Sequence, residues 1–138
     1  MNTRELETVW TPRMLSVLRI VAALILFSHG TDKILGFPDN RSPDPFTLSW
    51  TAGVLELVGG AFLVAGLFTR PVAFVLSGLM AAAYFIGHAP DSFFPSVNGG
   101  DAAILYCFIC LYLVFAGPGP WSIDAIRNQW LKQRTQVS

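Results

Sequence analysis

Four long apolar stretches fill most of this chain of 138 residues, and they restrict its fold more than any single motif does. A helix needs roughly 20 mainly apolar residues to cross the hydrocarbon core of a bilayer. Charged residues make up 13% of the chain, against about 25% in an ordinary soluble domain. The stretches therefore predict transmembrane helices at residues 14–35, 48–68, 72–87 and 102–116.

A soluble helical bundle is the alternative, and the distribution of charge argues against it. Each helix of a soluble bundle shows a polar face with a period of about 3.6 residues. The segments 61–68 and 72–87 contain no charged residue, so neither has a face suited to water. We therefore expect one all-α domain over residues 1–138, an integral membrane bundle of four antiparallel helices.

The basic residues predict which end of this bundle faces the cytoplasm, because Lys and Arg near the ends of spans stay on the cytoplasmic side. Most of them lie before the first span, between the second and third, or after the fourth: Arg4, Arg13, Arg19, Arg70, Arg127, Lys132 and Arg134. The other end has only Lys33 and Arg41. We expect a multi-pass protein of the cell membrane with both termini in the cytoplasm. The formal net charge of zero gives no reason to expect a nucleic-acid partner.

The start of the first span and the C-terminal tail carry helix-capping signals. Thr11 followed by Pro12 predicts an N-cap and a proline in the first turn, which would begin the first span. After the sequence GPGP, Ser122 is expected to cap a tail helix over about residues 122–133. This helix is amphipathic and predicts a position along a membrane surface. Its apolar face consists of Ile123, Ile126 and Trp130.

Small residues predict where the helices touch. Lipid tails give no hydrophobic drive for helix association, so close packing in a membrane relies on small side chains. The second and third spans carry them at helical spacing: Gly53, Gly59, Gly60, Gly66, Ser77, Gly78, Ala81 and Ala82. We expect the backbones to approach closely at these positions.

Polar side chains from all four spans fall at one depth, in the outer half of the bilayer. At about 1.5 Å per residue, Glu56 and Tyr84 each lie roughly 21 Å from the inner end marked by Arg70. The layer consists of His29, Lys33, Glu56, Tyr84, His88, Asn98 and Asp101. Because ionisable groups are expensive in hydrocarbon, we expect these side chains to point into the bundle. They predict a pocket, open to the outside, that binds a polar head group or moves a proton.

Glu56 is the central residue of this layer, and the sequence leaves its partner open. A buried carboxylate needs an opposite charge or hydrogen-bond donors to remain ionised. His29, Lys33 and Arg19 are the candidates. An ion pair of Glu56 with Arg19 or Lys33 that only fixes the register of the helices is the alternative to a functional pocket.

The order and spacing of several short motifs resemble the DoxX family of small four-span membrane proteins. The motifs are LRI (18–20), HG (29–30) with Lys33, GF (36–37), LELVGG (55–60), GLFTR (66–70), AYF (83–85) with His88, FP (94–95), NGG (98–100), GPG (117–119) and WSID (121–124). The resemblance covers about residues 15–124 and implies an integral protein of a bacterial or archaeal cell membrane. The family takes its name from subunits of a quinone-linked oxidoreductase of sulfur metabolism, so the resemblance also implies a link to redox or stress physiology.

Two further groups of residues have the composition of a redox, haem or metal site. Cys107 and Cys110 lie one helical turn apart near the middle of the bilayer, whereas a redox CxxC normally opens a helix at an accessible, electropositive position. We interpret them as small packing residues. His29 and His88 form a candidate haem pair, but haem needs a flat apolar slot, and the nearby Lys33 and Glu56 indicate a wetter site. With Glu56 and Asp101 the histidines form a candidate site for a divalent metal, but no short ligand motif supports it. We expect no metal and assign no catalytic residue.

Three functions are compatible with this sequence. The first is an accessory subunit of a redox system, with a quinone as the one candidate cofactor, bound in the outer pocket near His29 and Glu56. The second is a non-enzymatic scaffold or anchor for a soluble oxidoreductase, contacted through the tail helix. The third is a small-solute carrier, which would need a homo-oligomer because four spans are few for transport.

Overall fold

The chain folds into helices joined by short connections, and its computed structural model describes residues 2–39 and 42–135. Arg41, counted above among the basic residues of the outer end, lies outside the described residues. No strand occurs in these two ranges. The main helices are α1 (Thr11–Leu35), α2 (Leu48–Ala65), α3 (Thr69–Ala83), α4 (Asp101–Ala116) and α5 (Ile123–Thr135).

Three helical segments are long and apolar enough to cross a membrane. They are Thr3–Leu35, Leu48–Ala65 and Thr69–His88, the last being α3 with a π-helical turn at its end. The apolar helix α4 has 16 residues and is about 24 Å long at 1.5 Å per residue, somewhat less than the hydrocarbon core of about 30 Å. The fourth crossing therefore stays a prediction.

The start of the first span is not where the capping signal placed it. The helix runs without interruption from Thr3 to Leu35, and Thr11 has helical dihedral angles (φ −56°, ψ −47°) instead of the extended ones of an N-cap. A π-helical turn, Leu6–Trp10, precedes α1. Since Pro12 has no N–H to donate, a widened turn directly before it keeps the proline within a continuous helix.

Glycines set the C-terminal ends of the first two helices. Gly36 ends α1 with a left-handed backbone (φ 66°), and Gly66 ends α2 in the same way (φ 65°). Thr47 begins α2, because its hydroxyl accepts a hydrogen bond from the Trp50 N–H at 3.2 Å. Helix α3 starts only three residues after Gly66, so α2 and α3 form a tight hairpin.

The helices associate as two close pairs, α1 with α2 and α3 with α4, and contacts between the pairs are fewer. Glycines permit the close approach of the first pair. A Cβ atom at Gly60 would lie 2.8 Å from the backbone nitrogen of Phe27, and one at Gly30 would collide with the backbone of Leu57. The packing role predicted for the α2 glycines is confirmed here. Gly78 differs from the prediction, since open space surrounds it.

The second pair is joined by a hydrogen bond and by the two cysteines. Ser77 on α3 donates its hydroxyl to the backbone oxygen of Cys107 on α4 at 2.9 Å. Cys110 is fully buried in the core beside Leu76 and Leu113. Both cysteines are free thiols within the helix contact, as packing residues would be.

The two ends of the bundle are labelled here by the orientation that the basic residues predict. We call the end with the α2–α3 turn (66–70) and the segment 117–124 between α4 and α5 the inner end. The outer end contains the last turns of α1, the first turns of α2, and the loop 89–100.

Candidate functional site

The centre of the predicted outer layer is an ion pair between α1 and α2. The Lys33 ammonium nitrogen lies 2.8 Å from Oε1 and 2.9 Å from Oε2 of Glu56. The Glu56 side chain is 5% exposed and that of Lys33 is 28% exposed. Because both carboxylate oxygens contact the ammonium group, the buried charge of Glu56 is compensated. Lys33 is thus the partner among the three that the sequence left open.

A glycine on α2 makes room for this pair. Gly53 lies about one turn from Glu56 on the same helix, and a Cβ atom there would stand 2.6 Å from Cβ of Lys33. Without a side chain at this position, the aliphatic stem of Lys33 packs directly against α2. The ammonium group then reaches the carboxylate from the side of α1.

Arg19 does not pair with Glu56, so that predicted alternative is wrong. Its guanidinium is fully buried and donates to the carbonyl oxygen of Pro118 and, at 2.6 Å, to that of Trp121. Arg19 and Lys33 are on the same helix but about 21 Å apart along its axis. Arg19 therefore belongs to the inner end of the bundle, at the opposite end from Glu56.

Two other residues of the predicted layer do not point into the bundle. His29 on α1 is exposed, and so is Asp101 at the start of α4. The next residue of α1, Gly30, is buried and lies against the backbone of Leu57 on α2. Successive residues of a helix are turned by about 100°, so His29 faces away from this contact. Gly30, and not His29, indicates the side of α1 that faces α2.

The remaining three residues form a separate cluster that holds the outer loop. The His88 ring nitrogen Nδ1 lies 3.0 Å from the backbone oxygen of Asn98. The Asn98 side chain accepts a hydrogen bond from the Gly100 N–H at 2.7 Å, and Tyr84 donates its hydroxyl to the Phe93 carbonyl at 3.2 Å. In the described ranges no hydrogen bond connects this cluster to the Lys33–Glu56 pair. The predicted single layer is thus divided into an ion pair, a loop cluster and two exposed residues.

A larger polar network lies at the inner end, where no site was predicted. Asp124, in the first turn of α5, is buried, and its carboxylate accepts hydrogen bonds from the N–H groups of Phe68 (3.1 Å) and Thr69 (2.8 Å). Its own N–H donates to the Gly66 carbonyl at 3.0 Å. These are free groups at the ends of α3 and α2, so Asp124 caps both helices from a third.

The electrostatics of Asp124 follow from these contacts. Burial alone would raise the pKa of its carboxyl group, but the N–H groups of Thr69 and Phe68 and the charge of Arg127 favour the ionised form and hold the pKa below its ordinary value. The Arg127 guanidinium is 3.5 Å from the carboxylate and lies over the Phe68 ring at 5.3 Å from its centroid. Asp124 is therefore a carboxylate at neutral pH.

The segment 117–124 is fastened to α1 by side chains of that helix. Besides the two carbonyls bound by Arg19, the Trp121 N–H donates to the Ser16 hydroxyl at 3.2 Å. Gly119 has φ 74°, and a Cβ atom there would collide with Ser16. The segment thus lies directly on α1. Ser122 then accepts a hydrogen bond from the Ala125 N–H at 3.1 Å, which confirms it as the cap of α5.

Arg70 completes the network by capping α4. Its guanidinium donates to the carbonyl oxygens of Val114 and, at 2.9 Å, Phe115 in the last turn of that helix. The ends of α2, α3, α4 and α5 therefore meet here against the side of α1. The signal that could have found this site is the set of motifs LRI, GLFTR and WSID, which are far apart in sequence but converge at the inner end.

Within the described ranges, no group of three or more His, Cys, Asp or Glu residues could hold a metal ion.

The profile of the DoxX family matches residues 14–89, which include most of α1, all of α2 and α3, and both members of the Lys33–Glu56 pair. The chain belongs to the DoxX family. It is similar to an uncharacterized protein of Haemophilus influenzae (44% identity over 133 residues, 90% of this chain and 96% of the relative). It is also similar to the inner membrane protein YphA of Escherichia coli (27% identity over 125 residues, 82% and 89% of the two chains).

No solved structure matches the chain. The family, the inner membrane relative and the apolar helices together identify a small integral membrane protein.

Proposed function

We propose that the protein is an accessory membrane subunit of a redox system and acts as a scaffold that holds a soluble oxidoreductase at its inner end. The proposal rests on one observation: the charged groups inside the bundle are bound by other groups of the protein. Glu56 is bound by Lys33, Arg19 by two carbonyl oxygens, and Asp124 by two backbone N–H groups. A catalytic acid or base must reach a substrate proton, and these groups are occupied by the protein itself.

The surface proposed for the partner is the exposed apolar face of α5, which we assign to the partner in place of the membrane surface that its amphipathic pattern predicted. Ile123, Ile126 and Trp130 are all exposed, although a soluble surface would normally bury such side chains. The helix is held to the bundle through Asp124 and Ser122, so it presents this face in a fixed orientation. By the distribution of Lys and Arg we place both termini, and hence this face, in the cytoplasm, with four membrane crossings.

The test must alter this face without unfastening α5. Truncation after Gly119 would also remove Asp124 and with it the cap of α3, so we choose the double variant Ile126→Ser with Trp130→Ser. Full-length protein is purified from membranes of its own cells, and co-purifying oxidoreductases are quantified by mass spectrometry and by activity. We expect the wild type to retain an oxidoreductase and the double variant to lose it.

The matched control is Gln129→Ser, an exposed polar position on the same helix. It should retain the oxidoreductase as the wild type does. Recovery of the same enzyme in equal amounts with the double variant would exclude the α5 face. Absence of any oxidoreductase from the wild-type preparation would contradict the scaffold function itself.

A quinone site at the outer end is the second candidate function, and the geometry of His88 favours it. If Nδ1 donates its proton to the Asn98 carbonyl, Nε2 of the half-buried ring is left as a hydrogen-bond acceptor for a hydroxyl group of the reduced quinone, the quinol. Binding of the quinol by purified protein should then weaken in His88→Ala and persist in His29→Ala, because the His29 side chain is exposed. Equal quinol binding by both variants would remove this candidate.

A further inference from the structure

An apolar groove of about 340 Å³ runs between α2 and α3 on the surface of the bundle. It exists because α2 and α3 belong to different helix pairs and touch less closely than the members of each pair. Its lining is entirely apolar and includes Leu55, Val58, Phe62, Pro71, Val75 and Leu76. From Ala65 at the inner end of α2, Leu55 is about 15 Å away along the helix. This is the depth of one leaflet of a hydrocarbon core about 30 Å thick.

A second cavity, of about 150 Å³, opens at the inner mouth of this groove. Its lining is mixed: Phe68, Pro71 and Pro118 contribute apolar surface, and the polar side chains are those of Arg70, Asp124, Arg127 and Asn128. We call it the polar cavity because all the charged side chains of the two linings belong to it. Pro71 lines both cavities, so the two are neighbours, with charged side chains at the level of the head groups and only apolar ones below.

The polar cavity offers positive charge. The Arg127 side chain is 48% exposed and Arg70 is exposed as well. Among the described residues that line the cavity, Asp124 is the one carboxylate; it is 11% exposed, is bound by backbone N–H groups and lies 3.5 Å from Arg127. The carbonyl oxygens that position Arg70 do not neutralise its charge. Two arginines against one shielded carboxylate leave an excess of one positive charge facing the mouth of the groove.

We propose that this composite site binds one anionic phospholipid of the leaflet at the inner end. Its phosphate lies between Arg70 and Arg127, and one acyl chain fills the α2–α3 groove. The combination selects the occupant: a free anion would use only the polar cavity, and a zwitterionic lipid would gain less there because its ammonium group offsets the charge of its phosphate. Basic pockets between transmembrane helices bind anionic head groups in this manner.

The experiment is native mass spectrometry of the full chain in detergent with equal amounts of phosphatidylglycerol and phosphatidylcholine. The wild type should carry phosphatidylglycerol in preference, and Arg127→Gln should reduce this preference by about fivefold, the effect of one arginine at an anionic surface. Lys132→Gln, which removes an exposed basic residue of the same helix outside the cavity, should leave it unchanged. Asn128→Asp, which adds a negative charge without touching Asp124, should also reduce it.

The apolar part is tested separately. Val75→Trp should fill the groove and reduce the binding of both lipids, whereas Val17→Trp, at an exposed position of α1 outside the groove, should not. Millimolar inorganic phosphate should fail to displace the bound phosphatidylglycerol. A preference that survives both Arg127→Gln and Asn128→Asp would overturn the proposal. So would Val75→Trp without effect, or displacement by phosphate, since either result would indicate a simple anion site.

Discussion

The two ends of the bundle use charged side chains in different ways. At the outer end, Lys33 and Glu56 form one lateral ion pair between neighbouring helices. At the inner end, Arg19, Arg70 and Asp124 bind backbone carbonyl and N–H groups at helix ends. A lateral pair holds two helices in register, whereas contacts to helix ends fix the connections among all of them. We infer that the inner end determines the topology of the bundle and that the outer pair acts locally.

The largest effect is expected for Arg19→Ala, which would break the inner end. It removes the donors of the Pro118 and Trp121 carbonyls and leaves a cavity, so the free energy of unfolding should fall by about 3 kcal/mol. Unfolding in mixed micelles, followed by circular dichroism, measures this loss. Arg13→Ala, which removes an exposed guanidinium on the same helix, should cost about 0.5 kcal/mol or less. Equal losses for the two variants would contradict a special role for Arg19.

The next effect concerns the outer end. Lys33→Met leaves the Glu56 carboxylate buried without its cation, and the free energy of unfolding should fall by about 2 kcal/mol, somewhat less than for a fully buried pair because Lys33 is partly exposed. The double variant Lys33→Met with Glu56→Leu should recover most of this loss, since two apolar groups need no compensation. The same unfolding assay measures the free energy of unfolding of both variants. A double variant as unstable as the single one would contradict this, because it would show that the ion pair stabilises the fold beyond the mutual compensation of its two charges.

A smaller effect is expected for Asp124→Asn. The amide retains one acceptor oxygen for the Phe68 and Thr69 N–H groups but loses the charge, so the free energy of unfolding should fall by about 1 kcal/mol. Thermal unfolding of the two proteins provides the measurement. Gln129→Asn, at an exposed position of α5, serves as the control and should match the wild type.

The smallest expected effect is the pH dependence of the stability difference between the wild type and Asp124→Asn. The folded pKa of Asp124 lies below its ordinary value of 3.8. The carboxylate therefore stabilises the fold fully above that ordinary value, and this contribution is lost as pH falls from there through the lower folded pKa. The stability advantage of the wild type over Asp124→Asn should shrink in that acidic range and remain constant above about pH 5. A constant advantage down to the most acidic pH would contradict the lowered pKa.

The sequence was sufficient for the membrane class and for the placement of Glu56 in a helix contact, and the reasons are local; it left the partner of Glu56 open among three residues. Apolar runs give the helices, and the small residues around Glu56 on α2 correctly place its side chain in a helix contact. The same reasoning misplaced His29, because its neighbour Gly30 is the residue in contact and only one of the two can face α2.

The inner network could not be predicted in the same way, because its acceptors and donors are backbone atoms. Arg19 binds carbonyls about 100 residues later, and these become available only because Gly117 and Gly119 turn the chain back over α1. Asp124 likewise reaches N–H groups 55 and 56 residues earlier. The charges of the side chains alone made Glu56 a candidate partner of Arg19. Every residue has a backbone carbonyl, so the sequence does not show which carbonyl oxygens are free to accept a hydrogen bond from Arg19.

Hydrogen exchange tests most directly the claim that the inner end is one connected unit. In the wild type we expect slow exchange of the N–H groups of Phe68, Thr69 and Trp121, because each is bound by a side chain. Arg19→Ala should accelerate exchange in both segments, 66–70 and 117–124, although it contacts only the second by hydrogen bonds. The outer loop 89–100 should be unaffected. Acceleration limited to 117–124, with 66–70 as protected as in the wild type, would contradict a connected inner end.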